Sequence, residues 1–226
     1  MTERVWNILV ESFPKILLPG LKMTLPLTAV AFVLAMIIAV AVALIQFARV
    51  RVLSQICRFY IWVIRGTPLL VQLFVVFYGL KAGMYMSPFW AAVLVFAVNE
   101  GAYCAETMRG ALEGVPAGQM EAGYCVGMSY TQIMRRIVLP QALRTAFPSL
   151  SNGLISMLKD TSLTANITVA DMFMATQRIN ARYYEPLALY LEVAVIYLMF
   201  CTVLTWLQRW GEKRLNAQGG REARHA

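Results

Sequence analysis

The sequence holds little of the side-chain chemistry on which most enzymes depend. Its 226 residues include one histidine and four cysteines, and only 14% of them are charged. The histidine, His225, lies in a polar tail, so histidine-based metal sites and Ser/His/Asp or Cys/His catalysis have almost no material. The cysteines form no Cys-x-x-Cys pair, and no G-x-x-x-x-G-K-S/T loop is present to hold the phosphates of ATP. We therefore predict no catalytic residue, no metal site and no cofactor bound by this chain.

Long apolar runs are abundant instead. Hydrophobic residues make up 59% of the chain, and the mean hydropathy is +0.61. No charged residue occurs from Met23 to Ala48 or from Ala82 to Asn99, and a membrane-spanning helix needs about 20 predominantly apolar residues. The sequence predicts an all-α integral membrane protein with about five transmembrane helices. Its net charge of +8 fits the basic excess of cytoplasmic segments in membrane proteins, so we expect no nucleic-acid partner.

The apolar runs divide the chain into a transmembrane domain and two polar ends. Residues 1–20 are predicted to form an amphipathic helix in the membrane interface, with a simple lead-in to the first span as the alternative. Residues 21–210 form the transmembrane domain, and residues 211–226 form a cytoplasmic polar tail. The spans are predicted at residues 21–47, 59–79, 88–110, 142–167 and 187–210.

Two segments refine this arrangement. Residues 48–58 hold Arg49, Arg51 and Arg58 and are predicted to form a cytoplasmic turn. The sequence Arg65-Gly66-Thr67-Pro68 is predicted to break the second span, because proline lacks a backbone donor and disfavours a helical residue before it. With the C-terminus inside and the N-terminus outside, the cytoplasmic segments carry about twice as many Lys and Arg residues as the outer ones. That bias sets the predicted orientation.

Charged residues inside the predicted spans are the first candidates for function. A charge at membrane depth is costly and usually faces a bundle interior or an aqueous cavity. Such a residue can either contact a polar solute or pair with a residue of another helix, and both interpretations stay open here. Glu100, next to Asn99, is the best candidate for contact with a solute, whereas Glu192, near an interface, is expected to be solvated. The charged residues in question are Arg65, Glu100, Glu106, Lys159, Asp160 and Glu192. Lys159 and Asp160 are adjacent, so we expect them to have separate partners.

The most informative segment is residues 111–141, which we call the docking loop. It is too polar to span a membrane, and Val115–Gly118 is predicted to end the third span. Two short helices are predicted at residues 121–126 and 130–138, with a sharp turn at Gly127 between them and Pro140 ending the second. The second helix carries Ile133, Met134 and Ile137 on one face. An exposed and partly apolar helix pair suits insertion into a cleft of a soluble partner.

The spacing of the docking loop resembles the cytoplasmic-loop signature of bacterial ABC importer permeases, E-A-A-x3-G-x9-I-x-L-P. The matching residues are Glu121, Ala122, Gly123, Gly127, Ile137, Leu139 and Pro140. Gly123 is the one departure, since it stands where the signature has its second alanine. Arg65–Gln72, Ala102–Gly110 and Lys159–Leu163 are similar to stretches of the polar-amino-acid group of these permeases. Within that group the chain resembles permeases of the cystine-uptake type.

This resemblance implies a type I ABC importer fold in the bacterial cytoplasmic (inner) membrane. It also implies two ATP-binding subunits on the cytoplasmic side, which bind ATP and Mg, and a periplasmic or lipid-anchored solute-binding protein outside. The permease itself would form a homodimer or pair with a homologous permease. It would have no ATPase site and would translocate a polar amino acid by alternating access.

Two functions of other classes compete with this interpretation. One is an ion-coupled secondary amino-acid carrier, with Glu100, Glu106 and Asp160 as proton or sodium sites. The other is a small membrane enzyme or structural subunit. The docking loop favours the permease, because a carrier needs no such loop and an enzyme needs a catalytic cluster that this sequence lacks.

A substrate pathway follows from the chemistry of a zwitterionic amino acid. Its carboxylate needs donors and its ammonium needs an acceptor, and a broken helix supplies donors at its free N-terminus. We predict carboxylate recognition near Thr67 and ammonium recognition near Glu100. The full set of predicted pathway residues is Arg65, Thr67, Asn99, Glu100, Glu106, Lys159, Asp160, Thr161 and Ser162.

Overall fold

The computed structural model of the chain describes residues 3–79 and 86–222, and the secondary structure of these residues is all helical, with no strand among them, as predicted. The last four residues of the predicted tail, with His225, lie outside the described residues. Two π-helical segments, Gly20–Thr24 and Met134–Val138, and a 3-10 helix, Thr161–Ile167, join neighbouring α-helices. The α-helices are α1 (Glu3–Pro19), α2 (Leu25–Phe47), α3 (Arg51–Arg65), α4 (Leu69–Gly79), α5 (Pro88–Glu113), α6 (Ala117–Cys125), α7 (Tyr130–Ile133), α8 (Leu139–Asp160), α9 (Met172–Tyr183) and α10 (Pro186–Glu222).

The first two helices form one continuous helix of 45 residues. At 1.5 Å per residue it is about 68 Å long, more than twice the roughly 30 Å hydrocarbon core of a bilayer. The predicted boundary at residue 20 falls on the π-helical segment and not on a helix end. One face of α1 buries Ile8, Ser12 and Ile16, and α1 packs on α9 and α10. The hydroxyl of Ser12 donates to Oε2 of Glu192 at 2.5 Å. The expectation that Glu192 is simply solvated is therefore wrong, since it links α10 to α1.

Helix α5 lies at the centre of the bundle and packs on α2, α8, α4 and α3. Its contact with α2 is the most extensive, because α2 presents a stripe of alanines that are fully buried, Ala31, Ala35, Ala39 and Ala43. Residues four apart lie on one face of a helix. Small side chains on that face let the two backbones approach closely, as is common between membrane helices.

The predicted break in the second span is present. Helices α3 and α4 meet at an angle of 102° across residues 66–68. The predicted turn at residues 48–58 is wrong in extent, because α3 begins at Arg51 and only residues 48–50 separate it from α2. Arg51 and Arg58 are two helical turns apart and so share one face of α3. An amphipathic helix can therefore accommodate the charges that suggested a turn.

Three helices of the described chain are long and apolar enough to cross a membrane, and the bent α3–α4 pair would make a fourth. The predicted fourth span is also a helix, α8, but it is more polar because one of its faces lines a cavity described below. Helix α9 was not predicted as a helix. Its first turn is capped by Asp171, whose Oδ1 accepts from the backbone N–H of Met174 at 2.8 Å. Helix α10 continues through the predicted tail to Glu222.

Candidate functional site

The docking loop contains the sharp turn predicted from Gly127. This glycine has a φ of +76°, which side chains with a Cβ rarely adopt. Helix α6 ends there in a Schellman motif. The N–H of Met128 donates to the carbonyl of Gly123 at 3.0 Å, and the N–H of Gly127 donates to the carbonyl of Tyr124 at 2.9 Å.

The second helix of the docking loop starts where the sequence predicts. A capping box holds Ser129 and Gln132 together, since Ser129 Oγ accepts from the N–H of Gln132 at 3.4 Å and Gln132 Oε1 accepts from the N–H of Ser129 at 2.8 Å. Its predicted end at Pro140 is wrong, because the helix continues through the π-helical segment into α8. The N–H of Leu139 bonds to the carbonyl of Met134, five residues back. This wider register accommodates the proline in the first turn of α8.

The apolar face of this second helix points into the bundle. Ile133 is fully buried and Met134 is nearly so. Both belong to the core cluster that includes Met108 and Leu112 of α5. The face that the sequence suggests for docking therefore joins the docking loop to the central helix, while Ile137 is only partly buried.

A different set of side chains forms the exposed surface of the docking loop. Tyr124, Val126 and Tyr130 are exposed, Val126 to 75%, and Glu121 and Cys125 lie beside them. Partial burial of its phenol, with a smaller effect of Tyr124, raises the pKa of Tyr130 above its ordinary value. The phenol thus stays neutral near pH 7, and the exposed surface combines aromatic and apolar groups with one carboxylate.

Gly123, the departure from the signature, is explained by its neighbour on the second helix. A Cβ at this position would lie 2.7 Å from Cγ1 and 2.9 Å from Cδ1 of Ile133. Ile133 is fully buried and β-branched, so it has little freedom to move. The absence of a Cβ at Gly123 therefore leaves the space that the side chain of Ile133 occupies.

A cavity of about 710 Å³ lies where the α3–α4 break meets α5 and α8, and we call it the central cavity. The break contributes Gly66, Thr67, Pro68 and Leu69 to its wall. The other lining residues are Arg65, Asn99, Glu100, Tyr103, Cys104, Thr107, Ser149, Gly153, Ser156, Asp160 and Leu163. Polar groups from three helices thus surround one space.

The helix break is held open by Gln72. Its amide donates to the carbonyls of Ile64 and Thr67 and to Oγ1 of Thr67, at 2.8, 3.1 and 2.8 Å. Its Oε1 accepts from Nδ2 of Asn99 on α5 at 3.0 Å. The hydroxyl of Thr67 is therefore occupied within the break, and it also donates to the carbonyl of Val63. The backbone N–H of Leu69, in the first turn of α4, donates to no acceptor in the described part of the chain.

Two carboxylates of the central cavity have no basic partner among the described side chains. Glu100 and Asp160 have no basic partner within 4 Å among the side chains of residues 3–79 and 86–215. Among the same side chains, Oε1 of Glu100 accepts only from the thiol of Cys104, at 3.4 Å. A Cβ on Gly153 would overlap the carboxylate of Glu100, so the glycine on α8 creates the space for it. The guanidinium of Arg65 lies 5.0 Å from the ring centroid of Tyr103. Within the described residues no three His, Cys, Asp or Glu side chains are grouped to hold a metal ion.

Similarity to a known protein family identifies the family of this chain. Residues 31–217 match the family described as binding-protein-dependent transport system inner membrane component. The chain belongs to this family. The permease is 43% identical to the L-cystine transport system permease protein TcyB of Bacillus subtilis (strain 168) over 213 residues, which cover 93% of this chain and 91% of TcyB. It is 40% identical to the probable amino-acid ABC transporter permease protein PatM of Vibrio harveyi over 93% of this chain and 96% of that one.

A solved structure agrees with these relatives. A chain from the crystal structure of an amino acid ABC transporter with histidines superposes with a TM-score of 0.85 and 33% identity, over 95% of this chain and 100% of that one. The type I importer fold predicted from the docking loop is therefore confirmed. The family description places the permease in the inner membrane, in a transport system that depends on a binding protein.

Five of the nine predicted pathway residues line the central cavity of the permease, namely Arg65, Thr67, Asn99, Glu100 and Asp160. The other four do not. Oε1 and Oε2 of Glu106 accept from Arg109, and the hydroxyls of Thr161 and Ser162 donate to the carbonyls of Leu158 and Lys159, at 2.7 and 2.9 Å.

Sequence reasoning named only Asp160 among the residues that α8 contributes to the cavity and missed Ser149, Gly153 and Ser156. Ser149, Gly153, Ser156 and Asp160 recur at spacings of four, three and four residues. That spacing defines one face of a helix. This signal is present in the sequence alone.

Proposed function

We propose that the permease is the membrane-spanning subunit of an ATP-binding-cassette importer that moves a polar amino acid across the bacterial cytoplasmic membrane by alternating access. The observation that carries this proposal is the charge pattern of the central cavity. Glu100 and Asp160 supply acceptors for ammonium groups. The Arg65 guanidinium and the free N–H of Leu69 supply donors for a carboxylate. A zwitterion needs both kinds of group when it leaves water.

The two unpaired carboxylates favour a substrate with two cationic groups. Cystine carries two ammonium groups, one for each of Glu100 and Asp160, and TcyB is named as an L-cystine permease. An amino acid with a basic side chain has the same number of cationic sites, and the related solved transporter is described with histidines. We place cystine first because its relative is the more similar in sequence.

The docking loop supplies the connection to ATP hydrolysis. The exposed surface around Tyr124, Val126 and Tyr130 suits a cleft on ATP-binding subunits, which would bind ATP and Mg. This assignment puts the docking loop and the end of α10 in the cytoplasm and the N-terminus outside, where a solute-binding protein delivers the amino acid. The permease acts as a homodimer or with a homologous permease. Membership of the binding-protein-dependent family supports this function over an ion-coupled carrier.

The test of solute recognition is Glu100→Gln, which keeps the shape of the side chain and removes its charge. Uptake of labelled cystine is measured in proteoliposomes that hold the permease with its ATP-binding subunits and binding protein. We expect the concentration for half-maximal transport to rise by a factor equivalent to about 1–3 kcal/mol, the range for a hydrogen bond to a charged group. Co-purification with the ATP-binding subunits should not change, because Glu100 lies away from the docking loop.

The matched control is Glu11→Gln, which removes a carboxylate from the exposed Glu11–Lys15 pair on α1. It should transport like the natural protein, since an exposed ion pair contributes little. Natural uptake with an unchanged substrate range in Glu100→Gln would refute the assignment and leave Glu100 as a packing residue.

A further inference from the structure

A second large cavity lies at one end of the bundle, apart from the central cavity. It has a volume of about 740 Å³ and is formed by the end of α2, the first three turns of α3 and the last two turns of α5. We call it the basic cleft, because Arg49, Arg51, Arg58 and Arg109 all line it, together with Gln46 and Trp62.

Only one of these four arginines is neutralised. Arg109 donates to both carboxylate oxygens of Glu106, at 3.1 and 3.0 Å, and to Oε2 of Glu113 at 2.7 Å. Arg49, Arg51 and Arg58 have no acidic partner among the side chains of residues 3–79 and 86–215. Glu106 and Glu113 also line the basic cleft, so four arginines and two glutamates give it a net charge of +2, and three of the arginines are unpaired. This charge favours an anionic ligand.

Helix α3 places an apolar surface directly beside these charges. Arg51, Arg58 and Trp62 lie within about 40° of one another around the helix axis, at 100° per residue. The neighbouring face carries Val52, Ile56 and Phe59, which are 67%, 58% and 63% exposed. A cationic stripe next to an exposed apolar stripe matches a ligand that is itself amphipathic. A free inorganic anion would use only the first of these surfaces.

Gln46 adds a requirement for a hydrogen-bond donor. Its Oε1 is buried and has no donor among the described residues, and an unsatisfied buried acceptor is costly. A headgroup hydroxyl would satisfy it. The ligand is thereby specified by three chemical features, which are a phosphate-like anion, a hydroxyl donor and an apolar chain.

We propose that the basic cleft binds an anionic glycerophospholipid of the phosphatidylglycerol type. Its phosphate lies among the three unpaired arginines, its headgroup hydroxyls reach Gln46, and its acyl chains follow Val52, Ile56 and Phe59. The site goes beyond the transport function, since it concerns the annular surface of the permease and not the path of the solute.

The test measures lipid binding by the full chain in detergent, with phosphatidylglycerol and phosphatidylcholine as probes. We expect the natural protein to prefer phosphatidylglycerol. Arg51→Gln/Arg58→Gln should weaken that binding about thirtyfold, because each basic residue near an anionic headgroup contributes about 1 kcal/mol and 1.4 kcal/mol is a factor of ten. The matched control, Arg178→Gln/Arg182→Gln, removes the same charge from the exposed face of α9 and should bind like the natural protein.

Three results would overturn the proposal. They are unchanged affinity in the cleft variant, equal weakening in both double variants, and inorganic phosphate binding to the natural protein as tightly as phosphatidylglycerol. The last would assign the basic cleft to a free anion. If the double variant does not fold, Arg58→Gln and Arg58→Lys replace it. We then expect about fivefold weakening with glutamine and near-natural binding with lysine, and equal affinities for the two would again overturn the proposal.

Discussion

Replacing Gly127 with valine isolates the backbone requirement of the docking loop. No atom lies within 4 Å of the position that a Cβ would take, so the substitution meets no steric clash. The backbone, however, has a φ of +76°. Left-handed backbone costs an L-residue about 1–2 kcal/mol, and a β-branched residue lies at the unfavourable end of this range or beyond it.

Two further hydrogen bonds depend on this conformation. If valine shifts the backbone, the bonds from Gly127 to Tyr124 and from Met128 to Gly123 are lost. Each such bond contributes about 1 kcal/mol net. Valine thus costs the docking loop about 1–2 kcal/mol if the native turn is kept and about 2 kcal/mol if the turn rearranges. Either cost lowers the stability of the native loop by a factor of roughly five to thirty.

The assay is ATP hydrolysis stimulated by loaded binding protein, measured with cystine uptake in the same proteoliposomes. Valine should lower both by a factor of roughly five to thirty while leaving membrane insertion normal. Asparagine tolerates the left-handed region and should keep most of the coupling, and alanine should fall between them. Equal coupling in the valine and asparagine variants would refute the reasoning, because the effect would then not arise from φ.

Two substitutions test the packing of the loop and of α5. Gly123→Ala should lower the melting temperature in detergent, since overpacking against Ile133 costs about 1–3 kcal/mol and outweighs a helix-propensity gain of about 1 kcal/mol. In a double-mutant cycle, Ile133→Ala should relieve the clash, so that the double variant is more stable than the sum of the two single effects predicts. Additive effects would contradict the clash. Arg109→Lys should lower the melting temperature by the equivalent of about 1 kcal/mol, because lysine lacks the planar guanidinium that bridges Glu106 and Glu113. An unchanged melting curve would show that this bridge contributes nothing to stability.

The local sequence pattern of the chain determines its class. Residues 23–48 carry no charge, so a helix formed by them is stable in the hydrocarbon core of a membrane. Proline at position 68 breaks α3 from α4, and glycine at position 127 permits the left-handed turn, because both constraints act within a few residues. Local backbone chemistry of this kind can be predicted without knowing what the segment packs against.

Which face of the docking loop is exposed could be decided only from the tertiary structure. A helix with Ile133 and Met134 on one face shows only that this face is apolar. It does not show whether the bundle or a partner covers it. Both side chains belong to the buried core cluster that includes Met108 and Leu112, more than 20 residues earlier in the chain, so this face is part of the core, while Tyr124 is exposed.

The central cavity shows the same division between local pattern and long-range packing. The spacing of Ser149, Gly153 and Asp160 already marks one polar face on α8, because helical periodicity is a local property. Which charges meet there depends on the register between α8 and α5, and on Gly153 leaving space for the carboxylate of Glu100. Such register is set by side-chain packing between helices about 50 residues apart in sequence. The sequence alone therefore determined a permease with its docking loop, and the tertiary structure decided which side chains of that loop are exposed and which side chains line the central cavity.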